Sequence, residues 1–257
     1  MTWAQLALGF CSGGLIGLLL GLVGGGGSIL AVPLLVYVVG VPQPHVAIGT
    51  SAVAVAVNAV VGLLNHARAG TVKWRSAVAF AISGGMGALL GSTAGKMVDG
   101  QRLIVLFAVL MLAIAALMVL RRDDASVPDV RLSRENAPAL IGLGLASGAV
   151  SGFFGIGGGF LIVPALIFAT GMPILNAVGT SLFAISVFGL ATAVNYARSG
   201  LVDWGFAGLL IVGGFVGSLA GARAAWRLAA RKGVMNAAFA AMIALVAVAM
   251  LARELSR

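Results

Sequence analysis

Apolar runs of twenty or so residues, closed by short polar or glycine-proline connections, alternate along almost the whole chain. A bilayer core about 30 Å thick takes roughly 20 apolar helical residues to cross. By that measure the pattern predicts eight full spans, near Trp3–Val23, Val46–Asn65, Ala77–Val98, Leu103–Leu120, Ala137–Phe154, Asn176–Tyr196, Phe206–Trp226 and Val234–Ala252. Two other apolar runs are shorter. Ser28–Val41 and Gly159–Thr170 each follow a glycine cluster and each stop at a Gly-x-Pro, Gly40-Val41-Pro42 and Gly171-Met172-Pro173. At about 1.5 Å rise per residue neither crosses the hydrocarbon completely. The expectation is an all-α polytopic membrane protein of about eight spanning helices plus two glycine-broken half-helix segments.

The two short runs mark an internal repeat. A shift of 131 carries Gly13, Gly17 and Gly21 onto Gly144, Gly148 and Gly152, and Pro33 onto Pro164. After the Gly-x-Pro turn the shift becomes 130, and Gly49-Thr50-Ser51 falls on Gly179-Thr180-Ser181. The match continues through Asn65, Arg68 and Trp74, which fall on Asn195, Arg198 and Trp204. Residues 1–120 and 137–257 are thus read as two homologous repeats, joined by the polar linker RRDDASVPDVRLSREN at 121–136. Cytoplasmic loops collect Lys and Arg. The loop of Arg68, Lys73 and Arg75 is basic while its counterpart sets Arg198 against Asp203; in the next pair the bias reverses, toward Arg223, Arg227, Arg231 and Lys232. This exchange predicts that the repeats are inverted relative to each other, although four crossings per half would distribute the cations almost as well.

Composition narrows the class further. Hydrophobic residues make up 61% and charged residues 9%, against roughly 45–50% and about 25% in soluble domains, and the mean hydropathy of +1.12 excludes a soluble globule. The net charge of +9 lies in short connections, where it orients helices in the membrane, and no basic domain is present to bind nucleic acid. Cys11 is the single cysteine, and Phe10 before it does not suit a lipoprotein cleavage site. Met1–Phe10 carries no positive charge, which argues against a cleaved signal peptide. All seven acids lie in connections or tails, so a cation carrier or carboxylate proton relay has no intramembrane acid to use. His45 and His66 are the remaining candidates for proton coupling. No nucleophile-base pair or metal-ligand cluster is visible, so neither an enzyme nor a cofactor or metal site is expected.

Within hydrocarbon a glycine-broken helix is tolerated only where its backbone is buried in protein or lines a cavity. A half-helix starting at such a break presents free amides and the positive end of its dipole, an arrangement that binds anions. Gly25, Gly26, Gly27 and Ser28 form this feature in the first half, and Gly157, Gly158 and Gly159 in the second. The competing reading is close helix packing, which fits the Gly13, Gly17, Gly21 and Gly87, Gly91, Gly95 ladders. A nucleotide-binding loop is excluded by the lack of a following Lys-Ser/Thr. The hydroxyls of Thr50, Ser51, Thr180 and Ser181 either donate to an oxyanion or bond carbonyls of their own helices. Asn65 and Asn195, with His66 or Tyr196 and then Arg68 or Arg198, form polar clusters near span ends, read as substrate or gating contacts or as interface anchors.

In GGGGSILAVP and GIGGGFLIVP, the paired GTS triplets, and NHARAGTVKW and NYARSGLVDW, the chain resembles the sulfite exporter TauE/SafE family of membrane transporters. The resemblance covers nearly the whole chain. It implies a multi-pass inner-membrane carrier of small sulfur-containing anions such as sulfite, thiosulfate or sulfonates. Its partners would then be the lipid bilayer and the anion, with nothing in the sequence specifying an oligomeric state. Ile156 and Gly159 stand where the first half has Gly25 and Ser28, so the two half-sites are not expected to be identical.

Overall fold

The computed structural model describes residues 3–120, 136–228 and 232–255; the predicted linker lies, apart from Asn136, outside them. The described chain is helical from end to end. α1 is Trp3–Val23, and α2 is the irregular segment 24–39. Then come α3 (Pro44–Arg68), α4 (Trp74–Met97), α5 (Gly100–Leu120), α6 (Ala137–Phe154), α7 (Gly159–Thr170), α8 (Ile174–Ala197), α9 (Trp204–Leu228) and α10 (Lys232–Leu255). Six of these meet the length and apolarity needed to cross a membrane, judged over the described residues: α1, α3, α4, α6, α8 and α9. α5 and α10 are also long, at 21 and 24 residues.

Prolines and glycines set the boundaries. Pro44 opens α3, where its missing N–H costs nothing, and Gly40 and Gly171 close the two short segments in the left-handed conformation, with φ of 80° and 68°. Asp203 Oδ1 accepts from the amides of Gly205 and Phe206 and so caps α9, as Asp99 Oδ1 caps α5 through Gln101 and Arg102.

The two halves interlock. α1 packs along α9 and α4 along α6, so each first helix of a half lies against the fourth helix of the other. The contacts obey the sequence shift. Gly13 meets Leu210 and Gly17 meets Gly214, while Gly144 meets Phe80 and Gly148 meets Gly84. These are backbone-to-backbone approaches in which a Cβ would collide with a carbonyl, so the glycine ladders fix the distance between helices. α3 and α8 cross the centre antiparallel: the start of α3 lies at Asp203 beyond the end of α8, and the start of α8 lies at Lys73 beyond the end of α3. α3 and α8 therefore point in opposite directions.

One core fills the space between halves, around Leu35, Val55, Phe80, Ile162, Ile185 and Phe188. A second joins α5 and α10, through Phe107, Met111, Ile243 and Ala247, to the flank of α2 at Ile29 and Val32. The outside is as apolar as the inside: Ile82, Leu90, Phe168 and Leu245 are each more than 60% exposed. Such a surface needs lipid rather than water against it. Trp74 and Trp204 begin α4 and α9 at opposite ends of the molecule, where indoles serve as interface anchors.

Candidate functional site

The two glycine clusters fold differently. α6 ends in a Schellman motif, in which Gly155 N–H donates to Gly152 O at 3.3 Å and Ile156 N–H to Ser151 O at 3.2 Å. Those bonds use the carbonyls that would otherwise give the α6 terminus its negative character. Gly155, Gly157 and Gly158 all have positive φ, between 66° and 70°, so this break is possible only with glycine. α7 then starts at Gly159, with Leu161 and Ile162 donating back to Gly158 O at 2.9 and 3.0 Å. Among the described residues no backbone carbonyl accepts from the amides of Gly157, Gly158, Gly159 and Phe160, and residues 155–160 are all buried. A buried group of donors at a helix start is an anion-binding arrangement.

The first cluster departs from the sequence expectation. Residues 24–30 form a continuous 3-10 run, followed by one α-helical turn at Ala31–Pro33 and wider i→i+5 turns at Leu34–Val39. No α-helix starts at Ser28, and a 3-10 run takes up its own amides in i→i+3 bonds. Gly27 has ordinary negative φ and packs on the backbone of α1, where its Cβ would lie 2.7 Å from Ile16 O. The surroundings of Gly25 and Gly26 lie outside the described residues. α7 touches the 3-10 run, so the two clusters meet between the halves.

The GTS triplets are used structurally, and the first of them also reaches the second break. Thr50 Oγ1 accepts from Asp203 N–H at 2.9 Å, and Thr180 Oγ1 from Lys73 N–H at 3.1 Å, one bond being the repeat image of the other. Ser51 donates to Ile48 O at 2.9 Å and reaches Gly155 O at 3.3 Å, which ties α3 to the second break. Ser181 donates to Val178 O, one turn back, at 2.8 Å.

The remaining predicted residues stand apart. Asn65 and Arg68 are exposed, about 21 and 26 Å along α3 from Ser51 by helical rise, and Arg198 is exposed at the opposite end. His66 Nδ1 bonds Thr71 Oγ1 at 2.9 Å. Tyr196 is fully buried, beside His45, with its hydroxyl unpartnered. Asn195 belongs to a cluster that sequence reasoning missed: Lys96 Nζ donates to Asn195 Oδ1 and Ser199 Oγ at 2.8 Å each, while Asn195 Nδ2 donates to Ser92 and Thr93. This is a neutral cradle around one cation, visible only once α4 and α8 are paired. Sequence reasoning also missed Asn58, almost fully buried in α3 with its Nδ2 donating to Leu210 O at 3.3 Å. The shift carries it onto Phe188, an apolar residue, so the repeat itself conceals it.

The chain is similar to a known family and to several membrane proteins. Residues 9–250 match the family described as Sulfite exporter TauE/SafE. A "Probable membrane transporter protein" of Xylella fastidiosa (strain Temecula1 / ATCC 700964) is 52% identical over 253 residues, covering 96% of this chain and 95% of that one. "Probable membrane transporter protein YunE" of Bacillus subtilis (strain 168) is 31% identical over 230 residues, covering 81% and 83%. "Probable membrane transporter protein MJ0441" of Methanocaldococcus jannaschii is 28% identical over 189 residues, covering 72% and 69%. No solved structure matches the chain. The chain belongs to the TauE/SafE sulfite exporter family of membrane transporters.

Proposed function

We propose that this protein is a secondary carrier of small, sulfur-containing oxyanions, of the sulfite, thiosulfate or sulfonate class, in the cell inner membrane. It binds one anion between its halves at the glycine breaks and exposes it alternately to the two sides as the halves rock. The observation that carries this reading is the set of buried amides at Gly157–Phe160, donors at the start of α7 that have no backbone acceptor among the described residues. An anion supplies the missing acceptors and gains from the α7 dipole. The absence of any acid from the break keeps that potential positive. The family description supports sulfite as the first substrate to try.

Purified protein in proteoliposomes, loaded with unlabelled sulfite, thiosulfate or a small sulfonate and diluted into the labelled anion, tests the reading. Saturable counterflow is the expected result. Flux that rises linearly with concentration and shows no counterflow would mean a channel, and no flux with any of the three anions would reject oxyanion transport.

A further inference from the structure

Ser151 lies one turn before the second break and is completely buried, and its Oγ has no hydrogen-bond partner. A buried hydroxyl is normally satisfied, and in a helix the carbonyls three and four residues back are always within reach. Ser83, Ser92, Ser181, Ser186 and Ser218 all bond such carbonyls. Ser151 does not. Its Oγ points at Gly158 in the break instead, 2.8 Å from the place where a Cβ on that residue would stand. A side chain on Gly158 is excluded for a reason besides its φ of 70°: its Cβ would collide with Ser151 Cβ and Oγ, at 2.7 and 2.8 Å.

The repeat shift carries Ser151 onto Leu20, which donates nothing, and Gly158 onto Gly27. The first cluster is closed over: the backbone of Ile16, Leu19 and Leu20 lies under Gly27, and the 3-10 run continues past Ser28 to Leu30. The two clusters share the glycine pair Gly27 and Gly158 but not the hydroxyl of Ser151, whose place Leu20 takes.

We infer that the anion site is asymmetric, formed by the second break alone, with the Ser151 hydroxyl and the amides of Gly158, Gly159 and Phe160 donating to one small oxyanion of tetrahedral or pyramidal form. The inference rests on the proposed function and deepens it. An oxyanion offers only acceptors, and a hydroxyl that donates to no other group meets one of them without breaking a bond in the empty protein. In the first half Gly27 instead packs α2 against α1.

The test compares Ser151→Ala with Ser28→Ala, its nearest hydroxyl counterpart in the first half. Affinities for sulfite, sulfate and inorganic phosphate are measured as separate probes by titration calorimetry on the purified full chain. Ser151→Ala is expected to weaken binding of the preferred probe about tenfold or more, the usual result of losing a hydrogen bond to a charged group. Its melting temperature without anion is expected to stay unchanged or rise, because an unsatisfied buried hydroxyl has been removed. Ser28→Ala should bind within about twofold of the unmodified protein. Equal weakening by both variants would restore a paired site. Unchanged affinity in Ser151→Ala, or a drop in its anion-free melting temperature, would overturn the role of Ser151 while leaving transport intact. An unmodified protein that binds none of the probes would reject the transport reading and this site together.

Discussion

At Gly157 and Gly158 the backbone holds φ of 66° and 70°, and a Cβ on Gly157 would stand 2.6 Å from Val55 Cγ1. A left-handed L-residue costs roughly 1–2 kcal/mol before any collision. Gly158→Ala should therefore lower the melting temperature and abolish anion binding. Gly208→Ala, on a helix with nothing within 4 Å of the new methyl, should leave both unchanged or slightly raise stability, since Ala exceeds Gly by up to about 1 kcal/mol in a helix. Melting curves with and without sulfite distinguish the two. The threonines of the GTS triplets give a different signature. Thr50→Val removes the acceptor of the half-buried Asp203 N–H, and the loss of such a hydrogen bond costs about 1 kcal/mol. The variant should melt earlier and keep its anion affinity, and Thr180→Val should copy it through Lys73. A fall in affinity with unchanged melting would instead place these hydroxyls on the anion.

Among the helices, the glycine ladders decide how close the halves come. Gly91 faces Ala149 across the α4–α6 contact, and Gly142 on α6 is exposed with nothing near it. Gly91→Leu should split this contact and give aggregated protein on size-exclusion chromatography in detergent, while Gly142→Leu should elute as the unmodified protein does. Most elements were legible because each full span is one apolar run bounded by a charge, a Pro or a Gly. Trp3–Val23, Ala137–Phe154 and Gly159–Thr170 coincide with α1, α6 and α7. The form of α2 was not legible. A run of glycines accepts a left-handed break or a 3-10 path equally well, and the choice falls to what lies beneath it, backbone of α1 under Gly27 and a serine under Gly158. For the same reason sequence reasoning gave weight to Ser28 and passed over Ser151, whose importance shows only when α6 and α7 are folded together. The triplet hydroxyls were legible as polar positions but not as caps, since Asp203 and Lys73 lie in the opposite halves from the threonines they meet.

Over the whole molecule, the first and fourth helices of each half are shared with the other, α3 and α8 cross antiparallel between them, and α5 with α10 stands to one side. The breaks sit where the halves meet, so in the proposed mechanism a relative movement of the halves would change which side reaches them. Val55 is fully buried in the central core beside Gly157, and Cys11 is the single native thiol. A Val55→Cys protein in a Cys11→Ser background thus reports access to the centre from either side. It is labelled with a membrane-impermeant maleimide in right-side-out and inside-out vesicles, with and without sulfite. The account predicts that under each condition the thiol reacts mainly from one side, and that adding sulfite changes the ratio of the two rates. Fast labelling from both sides at once, or rates that no sulfite concentration alters, would contradict it.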